Sequence, residues 1–180
     1  RAVRLIVPFP PGGGTDTMAR AIAPKLSEYL GQQLVPENRG GAGANIGAEL
    51  AAKSSPDGYT LLLNTITNAI GATLYTKLNY DLARDFATIT QLATTPHILV
   101  VHPSIPVKTV KEFIAYAKKR PGELNYSSAG NGSQPHLTAE MFKARTGINI
   151  VHVPYKGAPP QIADLLAGHV ALTFATSPSA

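Results

Sequence analysis

Leu5-Ile6-Val7-Pro8-Phe9-Pro10-Pro11-Gly12-Gly13-Gly14-Thr15-Asp16 sets the architecture of this 180-residue chain. The apolar run from Val3 to Val7 reads as a buried strand. It breaks at the prolines and glycines, after which Thr15 or Asp16 is placed to cap a helix. That helix carries Met18, Ile22, Leu26 and Leu30 on one face and stops at Gly31. Strand, glycine-rich turn and helix in this order predict a mainly parallel sheet covered by helices. Downstream, a second strand near Leu34-Val35 leads through Gly40-Gly41-Ala42-Gly43 into a helix containing Ile46 and Leu50. Pro56-Asp57-Gly58 makes a turn, and a third strand from Tyr59 to Leu63 ends at Asn64-Thr65-Ile66-Thr67-Asn68. Residues 75 to 95 are less regular, with Asp81, Arg84 and Asp85 near the surface.

Ile98 to Val101 is another strand, ended by His102-Pro103. The pattern then starts again: Val110, Phe113, Ile114 and Ala117 form a helix face closed by Pro121-Gly122. Leu124 to Ser127 is a strand that runs through Ser128-Ala129-Gly130-Asn131-Gly132-Ser133 into a helix with Pro135 near its first turn. Ile148 to Val153 is a further strand, Pro159-Pro160 opens a helix through Leu166, and Val170 to Phe174 is the last strand. Two α/β lobes are expected, residues 1–100 and 101–180, with no closing element at Pro178-Ser179-Ala180 and the second lobe unfinished.

Apolar residues make up 44% of the chain and charged residues 15%, which suits an α/β protein with a real core. No stretch approaches the ~18 consecutive apolar residues of a membrane span. No signal peptide is visible, so export implies a leader outside this chain. The absence of cysteine excludes a disulfide framework, a thiolate nucleophile and cysteine-type zinc sites. Sixteen Lys and Arg against eleven Asp and Glu give a formal charge of +5. The one dense cluster, Lys118-Lys119-Arg120, closes a helix, where cations complement the helix dipole. The other basic residues are spread singly, so the pattern is a solvated surface and not a nucleic-acid footprint. A mild positive field still draws in an anionic solute.

Two segments are built alike: Leu5-Ile6-Val7 through Gly12-Gly13-Gly14-Thr15-Asp16 into a helix, and Leu124-Asn125-Tyr126 through Gly130-Asn131-Gly132-Ser133 into a helix. A helix start offers unpaired backbone N–H groups and the positive end of its dipole, and so holds an anion without a charged side chain. Glycine lets the backbone approach a guest, while Thr15, Ser128 and Ser133 add hydroxyl donors. In an open parallel sheet such turns lie beyond the carboxyl ends of the strands, where ligands bind. The plainer alternative is two ordinary strand-to-helix turns. Asp16 then serves as a helix cap and Phe9 as a core plug, where the binding reading has them touching solute and lining a cleft.

Other chemistries fit less well. Neither glycine segment contains the lysine of a Walker loop, and Gly41-Ala42-Gly43 with Gly47 has the wrong spacing for a dinucleotide fingerprint. The five histidines, His97, His102, His136, His152 and His169, form no H-x-x-x-H or H-E-x-x-H, and no G-x-S-x-G occurs. Neither a metal, a cofactor nor a catalytic group is expected. His136, in the first turn after Gly132-Ser133, is placed either to donate to a bound carboxylate or to serve the helix start.

At these segments the chain resembles a known family. Val7-Pro8-Phe9-Pro10-Pro11-Gly12-Gly13-Gly14-Thr15-Asp16 with Ala19-Arg20, then Glu37-Asn38-Arg39-Gly40-Gly41-Ala42-Gly43-Ala44-Asn45-Ile46-Gly47, look like the first two signatures of the Bug-type extracytoplasmic receptors of tripartite tricarboxylate transporters. Pro56-Asp57-Gly58-Tyr59-Thr60-Leu61-Leu62, Ser128-Ala129-Gly130-Asn131-Gly132-Ser133 with His136-Leu137, Val153-Pro154-Tyr155-Lys156-Gly157 and Asp164-Leu165-Leu166-Ala167-Gly168 follow in the family's order.

The resemblance implies a type II periplasmic-binding-protein-like clamshell that closes on a small carboxylate held by backbone amides, hydroxyls and bridging waters. Carried over residue by residue, contacts come from Phe9, Gly12, Gly13, Gly14, Thr15 and Asp16; from Asn64, Thr65, Thr67 and Asn68; and from Ser128, Gly130, Asn131, Gly132, Ser133 and His136. Ala175 stands where many members have an acidic residue, which tilts the expectation toward a plain di-, tri- or aromatic carboxylate without an amino group. A periplasmic monomer is implied, with the transporter's large and small membrane subunits as partners and no nucleic acid or cofactor. Family members continue past residue 180, so the resemblance implies an incomplete receptor. The rival readings are the effector-sensing domain of a regulator, which calls for a DNA-binding helix-turn-helix, and an acyl- or phosphate-transfer enzyme on a similar scaffold.

Overall fold

The computed structural model describes residues 1–176; Pro178-Ser179-Ala180 lie outside the described residues. The chain divides into two compact units, Arg1–Thr94 and Thr95–Ala180.

The first unit contains β1 (Val3–Val7), α1 (Gly14–Leu30), β2 (Leu34–Asn38), α2 (Asn45–Ala52), β3 (Thr60–Leu62) and α3 (Ile66–Leu74). Its sheet runs β2-β1-β3, with both pairings parallel. A central parallel strand is covered on both faces, which explains why β1 is an almost continuous apolar run. Val3, Leu5 and Val7 share one face of the pleat and pack with Ala19, Ala23, Leu34 and Leu63. The seam of α1 therefore differs from the expected Met18-Ile22-Leu26-Leu30 face. Ala19 and Ala23 are the buried positions, Met18, Ile22 and Leu26 are half-buried, and Leu30 is 51% exposed. Two alanines one turn apart let the helix lie close on the sheet, and proximity won over side-chain size.

Two further expectations change at helix starts. Gly13, not Thr15 or Asp16, is the N-cap of α1, and both of those residues lie inside its first turn. The stretch Ile66-Thr67-Asn68, read as the tail of a strand, opens α3 behind Thr65, whose side chain forms a reciprocal capping box with Asn68. Asparagine replaces the usual Glu or Gln at the third position, so the signal was weak.

The second unit contains β4 (His97–Val101), α4 (Val110–Lys118), β5 (Asn125–Ser128), α5 (Gln134–Thr146), β6 (Val151–Pro154), α6 (Ala158–Leu166) and β7 (Leu172–Thr176). The sheet order is β4-β7-β5-β6, parallel except that β4 runs antiparallel to β7. Because β4 pairs along its whole length with β7, it falls entirely within the second unit, and the division comes ahead of it. Phe113, Ala117, Tyr126, Ala139, Ile148, Ile150, Leu172 and Phe174 form the core. Phe142 stacks on Phe113 at 6.3 Å and meets Phe174 edge-on at 5.6 Å. Among the described residues no helix is long and apolar enough to cross a membrane.

Candidate functional site

In the first unit all three parallel strands end on one edge, and the chain leaves it through three turns. Arg39 N–H donates to the Val7 carbonyl at 2.8 Å and Leu63 N–H to the Ile6 carbonyl at 2.9 Å, so the ends are in register. The turn from Phe9 to Asp16 is held by one carboxylate. Asp16, 3% exposed, accepts from Gly12 N–H, Arg20 Nε and Asn38 Nδ2, each at 2.9 Å. Asn38 Nδ2 also donates to the Phe9 carbonyl at 3.0 Å, tying the start of the turn to its end. Burial pushes the Asp16 carboxyl up, but hydrogen bonds from Arg20, Gly12 and Asn38 outweigh it and hold the group below the usual aspartate range. Its charge therefore shapes the turn. Gly12 is exposed with a φ of 84°, Gly13 is buried, and Phe9, Gly14 and Thr15 are half-buried. The first intrahelical bond runs from Thr17 N–H to the Gly13 carbonyl, so the N–H groups of Gly14, Thr15 and Asp16 precede it. The N-cap glycine has no side chain to occupy them.

Asn64 is exposed and Thr65 half-buried, whereas Thr67 and Asn68 are buried. Asn68 is 0% exposed, accepts from Thr65 N–H at 3.3 Å and donates to the Ala44 carbonyl at 3.2 Å. It braces α3 against the turn before α2.

In the second unit the corresponding turn joins β5 to α5. Gly130 and Gly132 have φ of 125° and 74°, a backbone that disfavours any side chain. A Cβ on Gly130 would also stand 3.3 Å from the Tyr155 carbonyl. Ser128 ends β5 buried, and its hydroxyl bonds the Gly130 carbonyl at 3.1 Å and accepts from Gly130 N–H at 3.2 Å. Asn131 is exposed at the tip. Ser133 is the N-cap of α5, yet its hydroxyl caps nothing: it is buried and has no partner among the described residues. A buried hydroxyl left unpaired costs about 1–3 kcal/mol, so a guest that accepts from it is stabilised. His136 lies in the first turn of α5. Its Nδ1 accepts from Gly132 N–H at 3.1 Å, which places the ring proton on Nε2. Burial pushes this histidine below its ordinary value, against the pull of Glu140, so the ring is a neutral donor at neutral pH. Ala175 lies in β7 opposite Ile98 and is buried in the sheet.

The sequence reading passed over two residues here. Asn38 joins Phe9 to Asp16, as above. His152 on β6 stacks on Tyr126 at 4.8 Å and on His136 at 4.2 Å, with Nε2 2.6 Å from the Ser128 hydroxyl. The local pattern around His152 carries no signal, because its partners come from β5 and α5. Each unit thus presents a glycine turn with backbone N–H, hydroxyl and, in the second, neutral imidazole donors. In the first unit Arg20 is engaged by Asp16 and by the Asn38 side-chain carbonyl oxygen at 3.1 Å, and in the second Lys143 is engaged by Glu140 at 2.7 Å. Such a set suits an anion held by neutral donors. Among the described residues no group of three or more metal-ligating side chains is gathered.

The family profile described as tripartite tricarboxylate transporter family receptor matches residues 18–180. Protein BugT of Bordetella pertussis is 42% identical over 181 residues, covering 99% of this chain and 56% of BugT. Among solved structures, R. palustris Rpa4515 with adipate aligns at a TM-score of 0.93 and 44% identity, over 99% of this chain and 60% of that one. MatC (Rpa3494) from Rhodopseudomonas palustris with bound malate aligns at 0.89 and 31%, over 98% and 60%. The chain spans little more than half the length of BugT and 60% of these solved chains. Both structures share its mixed α/β architecture with mainly parallel sheets. The profile match and these identities agree: the chain belongs to the tripartite tricarboxylate transporter receptor family.

Proposed function

We propose that this chain captures a small organic carboxylate as part of a periplasmic receptor and delivers it to the large and small membrane subunits of a tripartite transporter. The observation that carries this reading is the start of α5. There an unpaired buried Ser133 hydroxyl, the first-turn N–H groups and the neutral Nε2–H of His136 stand together. Donors of this kind match a carboxylate, which needs two to four hydrogen bonds and gains from the helix dipole. The glycine turn before α1 offers backbone donors of the same kind. Adipate in Rpa4515 and malate in MatC support a dicarboxylate guest, and the buried methyl of Ala175 favours a plain acid over an amino acid. On this reading the protein acts as a monomer, without catalysis, cofactor or nucleic acid.

Calorimetry on the intact receptor with adipate, malate, citrate and benzoate tests it. The expected result is a Kd of about 1 μM or tighter for at least one acid. Ser133→Ala and His136→Ala should each weaken that binding about tenfold, the equivalent of one lost hydrogen bond to a charged group. No heat with any acid, or chemical turnover of an acid that His136→Ala abolishes, overturns the reading.

A further inference from the structure

We infer that His152 is a positioning residue for carboxylate capture, holding Ser128 and His136 so that the turn between them keeps its donors in place. The inference rests on the proposed carboxylate receptor. His152 is the register partner of Tyr126 across the parallel β5–β6 pair, so the two rings stand on one face of the sheet. They lie 18° from parallel, and the His136 ring lies 16° from that of His152. His152 is thus the ring common to both contacts. Its Nε2 reaches the Ser128 hydroxyl, which closes the beginning of the turn through Gly130, while His136 Nδ1 receives Gly132 N–H and closes the end. Two stacked imidazoles therefore grip the same six-residue turn from both sides.

The surrounding charges leave those rings neutral. Glu140 on α5 accepts from the Tyr126 hydroxyl at 2.6 Å and from Lys143 Nζ at 2.7 Å, so its charge is already engaged. Burial first, and then neighbouring His136, push His152 down to about 4. A proton on His136 Nδ1 would confront the Gly132 N–H and open the turn. Remove His152, and His136 loses its stacking partner while Ser128 loses one of its bonds. The turn then has more freedom to lose on binding, which lowers affinity without removing any group that touches the guest.

Two variants of the intact receptor separate these contacts: His152→Ala removes ring and hydrogen bond, and His152→Phe keeps a ring of similar size without Nε2. Adipate calorimetry should show about tenfold weaker binding for His152→Ala and a smaller loss for His152→Phe. Imidazole nitrogen NMR without ligand should show His136 as the Nε2–H tautomer in the wild type and as a mixture in His152→Ala. A purely structural residue would lower the melting temperature and leave that tautomer alone. Wild-type affinity in both variants with an unchanged His136 signal overturns the inference. If the wild type binds no acid, the receptor reading fails, and the NMR comparison still decides whether His152 positions His136.

Discussion

Asp16→Ala removes the acceptor shared by Gly12 N–H, Arg20 Nε and Asn38 Nδ2, and with it the tie between the two ends of the first glycine turn. The Arg20 side chain is 56% exposed, so its ion pair contributes at most about 1 kcal/mol. The bonds from Gly12 and Asn38 reach a buried charged oxygen and contribute about 1.5 kcal/mol each. Loss of a negative group in the first turn of α1 adds about 0.5 kcal/mol. Water rescues part of this at the exposed Gly12 N–H, which leaves about 3 kcal/mol. Urea unfolding at neutral pH should show that difference in the transition of the first unit. The folded carboxyl is held below the ordinary aspartate range, so the folded state binds its proton less readily than the unfolded state does. The contribution of Asp16 is therefore present above the unfolded value and is lost as pH falls through the folded one. The gap between wild type and variant must narrow on acidification. A neutral-pH difference below about 0.5 kcal/mol, or a gap that stays constant in acid, would refute the reasoning.

Gly47→Ala would set a Cβ 2.7 Å from the Arg39 carbonyl and 2.9 Å from Pro8 Cα, pushing α2 away from the end of β1. The expected cost is about 1–3 kcal/mol, and an unchanged melting temperature would contradict that packing. His152, held down to about 4 by burial, takes up its proton more readily once the second unit unfolds. Stability of that unit should decline as pH drops from the ordinary histidine range to about 4, with a flatter profile in His152→Phe. A flat wild-type curve over that interval would show that the ring is not buried in solution.

Much of this fold is legible along the chain because its signals are local. Apolar runs beside proline or glycine mark β1 and β7, and Gly31, Gly147 and Gly168 stop or follow helices for steric reasons that hold in any context. The two glycine turns could be placed for the same reason, although α1 starts behind Gly13, ahead of the expected Thr15 or Asp16 cap. The α1 seam could not. Which face of a helix meets a sheet depends on how closely the two approach, and Ala19 and Ala23 carry no strong hydrophobic signal. The start of α3 was missed because Thr65 and Asn68 cap it with a weak variant of the usual box. Antiparallel pairing of β4 with β7 joins residues more than seventy positions apart, and no pattern near His97 announces it.

The chain by itself determined the order of its elements apart from α3, and the two glycine turns, since periodicity, capping and steric freedom act over a few neighbouring residues; its motifs in their order carried the family resemblance. Only the tertiary structure decided what those turns are made of chemically. It bound Asp16 into three hydrogen bonds, left the Ser133 hydroxyl unpaired and stacked His152 on His136. Asn38 reaches Asp16 from the end of β2, and His152 reaches His136 from β6, so the hydrogen-bonding state of a side chain is a property of its neighbours in space.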